Sequence, residues 1–234
     1  TLPESRNDLL TEIINHPDVA LVVATGGRKM MSHVLCSPKR VIAGGPANPV
    51  AIVDETADLA KAAKDISDGA SFDNNIMCIS EKCIVAVESI VPAFVKQLEE
   101  NGVYYIDNET EMLQLTKTVL NHDMKMVRKM EGKSAMDILE EAGIHPNRPV
   151  RLVVVRTFAK HPLVLEECLM PVVPLVAVAD FEEALETALF TEQGYRHTAM
   201  VHSQCIDRLS KAAKIMNTTV FIKNGSSLAG IGLN

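Results

Sequence analysis

What most limits the fold of this chain is an alternation. Short, unbroken apolar runs recur along it, and between them lie longer stretches whose apolar residues sit at helical spacing. Val19-Ala20-Leu21-Val22-Val23-Ala24 leads into Thr25-Gly26-Gly27, which predicts a strand buried on both faces and ended by a turn. Residues 39–43, 50–53, 83–87, 150–155, 172–178, 197–201 and 219–223 read as further strands. Helices are expected over 56–70, 92–101, 111–120 and 203–216, and two more open at Ser134 and Asp180. The first has Thr56 as its N-cap and Ala57, Ala60, Ala63 and Ile66 on one stripe. Pro92 sits in the first turn of the second, with Val91, Phe94, Val95 and Leu98 as its stripe and Gly102 just past its end. Ser134 and Asp180 open capping-box patterns, with Gly143 and Gly194 as the matching stops. Strands separated by helices of this length indicate an α/β fold with a mainly parallel sheet flanked by helices. Residues 107–148 are polar and charged, and read as a solvated helical face with loops.

Composition narrows the function classes. Lys and Arg number 23 against 30 Asp and Glu, and the net charge is −7 with no basic run, which gives no support to a nucleic-acid partner or an anionic membrane surface and predicts neither. The longest apolar runs fall far short of the roughly 20 residues of a membrane helix. Five cysteines, with no CxxC spacing, argue against a disulfide framework or a metal site and for a reduced, cytoplasmic compartment. Residues 1–8 contain no apolar run of the signal-peptide kind. With no starting Met, the chain reads as a fragment of a longer protein.

Three motifs carry candidate chemistry. Glycines at Thr25-Gly26-Gly27 let backbone amides approach a ligand, although a Gly-Gly after a strand is also an ordinary tight turn. Ala43-Gly44-Gly45-Pro46-Ala47-Asn48-Pro49 is a rigid loop and a candidate crossover between domains. The sharpest is Ser71-Phe72-Asp73-Asn74-Asn75-Ile76-Met77-Cys78-Ile79-Ser80-Glu81, a polar loop between a helix and a strand. A thiol there can act as a nucleophile, whereas an isolated Cys is more often a small buried hydrophobe. Cys36, Cys83, Cys168 and Cys205 keep that second reading, and His161, His197 and His202 read as structural or surface residues. Glu166 and Glu167 could equally be a solvated edge.

Taken in order, these motifs resemble the aldehyde dehydrogenase superfamily, and within it the CoA-acylating propionaldehyde and acetaldehyde dehydrogenases of propanediol and ethanolamine utilisation. The resemblance is carried by His16-Pro17-Asp18, Val23 to Gly27, Asn48-Pro49, Asp54-Glu55-Thr56-Ala57-Asp58, the block from Asp68 to Cys78, and Ser80-Glu81-Lys82. It continues through Glu166-Glu167, Met170-Pro171, Gly194 to Met200 and Phe221 to Gly225.

The resemblance implies residues 1–45 as the last strands of a Rossmann-like nucleotide-binding domain and 46–234 as a C-terminally truncated catalytic domain. It places Cys78 as the nucleophile, shaped by the loop residues Asn74 and Asn75. Thr25 and Gly26 stand at the nicotinamide end of NAD, Glu167 at its ribose, and Asn224 near the active-site tunnel. Hydrolytic relatives have a Glu where this chain has Ala43, so CoA rather than water is the expected acyl acceptor. Met77 stands where the branch has Pro, which bears on loop rigidity rather than on the chemistry.

The implied reaction converts a short-chain aldehyde, CoA and NAD to acyl-CoA and NADH in a homo-oligomeric parent enzyme, in the cytoplasm or inside a bacterial microcompartment. The fragment itself is expected to be inactive. The alternatives are one half of a bifunctional aldehyde–alcohol dehydrogenase, or a catalytically silent structural module of the same fold.

Overall fold

The computed structural model describes residues 7–233; most of the 1–8 stretch lies outside the described residues. The chain divides between Pro46 and Ala47 into two compact units.

The first unit contains helix α1 (Asn7–Asn15), strand β1 (Leu21–Thr25), helix α2 (Arg28–Leu35) and strand β2 (Arg40–Gly44). The two strands pair in parallel, Leu21 opposite Arg40 and Thr25 opposite Gly44. Val22, Ala24 and Val41 pack with Leu10 and Ile14 of α1 and with Met31 and Val34 of α2. The expected burial of β1 on both faces is not found: Val23 is 70% exposed and Leu21 44%. Both helices pack on the face that carries Val22 and Ala24, so the alternate residues of the strand point away from that core.

The second unit is built on strands β3 (Val50–Val53), β4 (Cys83–Val87), β5 (Val103–Ile106), β6 (Leu152–Thr157), β7 (Val172–Val178), β8 (Thr198–His202) and β9 (Val220–Lys223). Helices α3 (Leu59–Ser71), α4 (Val91–Glu100), α5 (Glu109–Val119), α6 (Ala135–Glu141), α7 (Pro162–Leu165), α8 (Phe181–Glu192) and α9 (Ile206–Met216) lie between them. The sheet is all-parallel in the order β5-β6-β7-β4-β3-β8-β9, which makes β4 the central strand. Alternation along the strands feeds two cores. Ala51, Val53, Ile84 and Ala86 face Ala63 and Ile66 of α3 and Phe94 and Leu98 of α4. Val50, Ile52, Cys83 and Val85 face Phe181 and Leu185 of α8 and Leu209 and Ala212 of α9.

Two expectations are corrected here. Residues 107–148 are not merely a solvated face: Leu115, Val119, Met130, Ile138 and Leu139 are fully buried with Val153 and Val155 of β6. A narrow apolar stripe suffices to bury a helix whose other faces are charged, and average composition hides it. The N-cap of α3 is Asp58, whose carboxylate accepts from the Lys61 N–H at 3.0 Å. The Thr56 hydroxyl donates instead to Asp54 at 2.6 Å.

Candidate functional site

In an all-parallel sheet every strand starts on the same edge. The segments entering β3 (Asn48, Pro49), β4 (Cys78 to Lys82), β7 (Glu166 to Pro171) and β8 (Gly194 to His197) therefore share the amino edge of the second unit. Asn48 is buried there, and its amide donates to the carbonyls of Val164 (2.8 Å) and Thr191 (2.7 Å). The Pro49 carbonyl accepts from the N–H groups of Lys82 (2.9 Å) and Cys83 (3.2 Å), which ties the entry of β3 to that of β4.

The loop before β4 has an unusual backbone. After α3 the chain makes a single 3-10 turn, and Asp73, Asn74 and Asn75 have φ of 47°, 51° and 60°. Asp and Asn tolerate this left-handed region better than other non-glycine residues, yet three in a row need outside support. The Asn74 amide donates to the Gly132 carbonyl at 2.9 Å. Asn75 is fully buried and donates to the Glu81 carbonyl at 3.0 Å. The Lys82 ammonium donates to both the backbone carbonyl and the side-chain oxygen of Asn75, at 2.5 Å each. A turn in which the Ser80 N–H donates to the Met77 carbonyl then leaves the Cys78 thiol exposed.

Behind the loop lies a pair of buried charged residues. Lys82 is 1% exposed, and burial pulls its pKa down to about 8, against the opposing pull of Glu167, Cys168, Cys78 and Glu81. Glu81 is fully buried, and burial pushes its pKa up to about 7 despite hydrogen bonds to its carboxylate from the Ser227 N–H (2.9 Å) and hydroxyl (2.8 Å). Gly69 of α3 runs against this carboxylate, and a Cβ there would collide with it and with the Ser227 hydroxyl. Glu167 is half-buried, and burial raises its pKa against the influence of Lys82 and a backbone hydrogen bond from Ala47. Glu166 pairs with Lys125 at 2.7 Å.

Cys78, Asn74, Asn75 and Glu167 thus lie on one edge, where Lys82 contacts Asn75 and is acted on by Cys78 and Glu167. Thr25 and Gly26 belong to the first unit, where both are exposed. The Gly26 N–H donates to the Gly44 carbonyl at 3.2 Å, and Gly27 caps α2. Asn224 follows β9 and so lies on the opposite, carboxyl edge, where it exchanges hydrogen bonds with the Ser203 backbone at 2.9 and 2.8 Å. Cys83 and Cys168 are buried with their thiols pushed up to about 12 by burial, as small hydrophobes should be; Cys36 is exposed and departs from that reading. His161 accepts from the Leu163 N–H at the start of α7, His197 pairs with Thr198, and burial pulls His202 down to about 4. Among the described residues no three His, Cys, Asp or Glu side chains gather as a metal site would require.

Sequence reading quoted Glu81 and Lys82 but gave them no role, and it missed Ser227 and Gly132. The available signal was two adjacent opposite charges placed directly before a wholly apolar strand, where exposure is difficult and pairing is required.

These features describe an α/β protein that presents an exposed cysteine at the amino edge of a central parallel strand. The aldehyde dehydrogenase family model matches residues 1–231, and the chain belongs to that family, in its CoA-acylating propanal and acetaldehyde dehydrogenase branch. A propanal dehydrogenase (CoA-propanoylating) of Salmonella typhimurium is 41% identical over 235 residues, covering 100% of this chain and 50% of the relative. The structure of a Rhodopseudomonas palustris propionaldehyde dehydrogenase with bound CoA and an acylated cysteine superposes with a TM-score of 0.93, at 39% identity, over 96% of this chain and 51% of that one. An engineered glycolyl-CoA reductase with bound NADP+ gives a TM-score of 0.94 at 40% identity, over 97% of this chain and 52% of that one. The chain spans about half the length of the curated relatives it matches.

Proposed function

We propose that the protein carrying this chain is a nicotinamide-dependent, CoA-acylating aldehyde dehydrogenase acting on a short-chain aldehyde such as acetaldehyde or propionaldehyde, with Cys78 as its nucleophile. The observation that carries this reading is the exposed Cys78 thiol, set on a left-handed loop by buried polar contacts. The acylated cysteine and bound CoA of the Rhodopseudomonas palustris relative support it.

In this reading the Cys78 sulfur attacks the aldehyde carbon and forms a carbon–sulfur bond. The nucleotide supplies the acceptor for the hydride that leaves as the adduct becomes a thioester. The CoA thiol then attacks the thioester carbonyl, and Cys78 departs as thiolate while acyl-CoA is released. Ala43 has no group that can take a proton from water, so it offers no help to hydrolysis.

The residues that would hold the nucleotide are Thr25, Gly26 and Glu167. In the first unit the turn at Gly26-Gly27 is exposed, with open space beside Gly27 and the Met30 sulfur against Gly26; in the second Glu167 offers a half-buried carboxyl group; each is compatible with that role. In the same reading residues 1–45 close a nucleotide-binding domain and 46–234 form most of a catalytic domain. The parent enzyme is a homo-oligomer resident in the cytoplasm or in a microcompartment. No helix among the described residues is long and apolar enough to cross a membrane.

The test is NADH formation by the full-length polypeptide with propionaldehyde, with and without CoA. CoA-dependent NADH is expected, and Cys78→Ala should lower it by roughly 10³-fold or more. Activity indifferent to CoA, or retained in the variant, rejects the assignment. The 234-residue chain alone is expected to form no NADH.

A further inference from the structure

Among the described residues, Lys82 is a cation buried at the amino edge. A lysine ordinarily keeps its ammonium in water, and complete burial disfavours the charge unless partners replace the lost hydration. Here the ammonium lies inside, four residues after Cys78, and spends its hydrogen bonds on one residue, Asn75. That residue in turn donates back to the Glu81 carbonyl, so the loop from Asn75 to Lys82 is closed on itself by side chains. The groups that act electrostatically on Lys82 are Glu167 and Cys168 from the segment before β7, and Cys78 and Glu81 from its own loop. Glu81 is balanced by Ser227 rather than by a second cation. With a pKa of about 8, Lys82 remains mostly protonated at neutral pH.

We propose that Lys82 is the positioning residue of the thiol loop: by clamping Asn75 it holds the left-handed run Asp73 to Asn75 and so fixes how Cys78 is presented. This rests on the reading of Cys78 as the nucleophile. Lys82 touches no reacting atom in this scheme. The clamp offsets the backbone strain of three left-handed residues and fixes where the thiol points. An arrangement of this kind also places the clamping amine out of reach of aldehyde, with which an exposed lysine amine would condense.

The test is site-resolved alkylation by iodoacetamide, read by mass spectrometry, with the exposed Cys36 of the same chain as internal reference. It needs no aldehyde, CoA or nucleotide, so its outcome is independent of the NADH assay. In the unsubstituted protein Cys78 is expected to react about tenfold faster than Cys36 at pH 7. In Lys82→Met that advantage is lost. In Asn75→Ala it is lost as well, and Asn75→Asp, which keeps the side-chain oxygen that accepts from Lys82, recovers part of it. Equal rates at Cys78 and Cys36, or an unchanged Cys78 rate in Lys82→Met or in Asn75→Ala, each overturns the proposal. Where Lys82→Met does not fold, the other two measurements decide it.

Discussion

The two edges of the seven-stranded sheet solve the same problem in opposite ways. Each buries a carboxylate. At the carboxyl edge Asp54 is fully buried and accepts from the Ser203 hydroxyl at 2.6 Å, the Thr56 hydroxyl at 2.6 Å and the Arg208 guanidinium at 3.0 Å. Arg208 also reaches Glu55 at 2.7 Å and lies over the Phe181 ring. Burial alone would raise the Asp54 pKa, but these donors outweigh it and hold the group below the usual carboxylate range. At the amino edge the donors to Glu81 are the Ser227 N–H and hydroxyl and its own backbone N–H, none of them a cation, and burial wins. The lesson is that burial does not set ionisation by itself; the number and charge of the donors do. The carboxyl edge is a satisfied knot of α9, β3 and β8, whereas at the amino edge burial pushes Glu81 and Lys82 toward their neutral forms beside the exposed Cys78. Ligands of parallel sheets commonly bind at the carboxyl ends of strands, and this chain places its candidate chemistry at the other end.

The contrast can be broken most forcefully at Asp54. Replacing it with Ala leaves Arg208 and Ser203 without their buried partner, and should lower unfolding free energy in urea by about 4 kcal/mol. The relative alkylation of Cys78 and Cys36 in the folded variant should not change, since the knot lies on the far edge. A loss of Cys78 reactivity would show that the two edges are coupled.

A second measurement sharpens the comparison through pH. The folded-state pKa of Glu81 lies above its unfolded value of 4.5, so the folded state binds the proton more tightly. Its contribution is complete below the unfolded value and is lost as pH rises through about 7. Asp54 runs the other way: its contribution is present above its unfolded value of 3.8 and is lost only as pH falls through its lower folded value. Urea unfolding at pH 4.5 and pH 8 should therefore show a decline of about 3 kcal/mol attributable to Glu81. Glu81→Gln should flatten that decline, and an equal decline in the variant would assign it elsewhere.

The smallest effect is expected at Gly69→Ala. In an exposed helix interior this change ordinarily stabilises by about 1 kcal/mol. Here the added methyl meets the Glu81 carboxylate and the Ser227 hydroxyl, so a loss of about 2 kcal/mol is expected in thermal or urea unfolding. Stabilisation instead would mean that the packing around Glu81 is looser than its burial implies.

How much of this was legible in the sequence differs between the edges and the core. The strands Val50–Val53, Cys83–Val87 and Val172–Val178 match their apolar runs residue for residue, because a strand buried on both faces writes that burial into its own composition. The caps Ser134 and Asp180 were legible for the same local reason. Strand β5, the short Val-Tyr-Tyr-Ile segment after Gly102, was not, since four residues with two half-buried tyrosines carry little periodicity. The exposed face of β1 was misread because an apolar run shows only that a strand can be covered, not that the unit containing it supplies the cover. Cys78 was singled out by its loop and by family resemblance, while Lys82 stood in plain view without a role.

From the sequence alone came the α/β class, the mainly parallel sheet and the candidacy of Cys78 among five thiols. Only the tertiary structure decided that Lys82 turns inward to Asn75, that Glu81 is met by Ser227 at a separation of 146 residues, and that Asn224 lies on the far edge from the thiol. The physical reason is range. Apolar periodicity and caps act within one element and are written next to the residues they govern, whereas the partner of a buried charge is chosen by which distant segments the sheet order brings to the same edge.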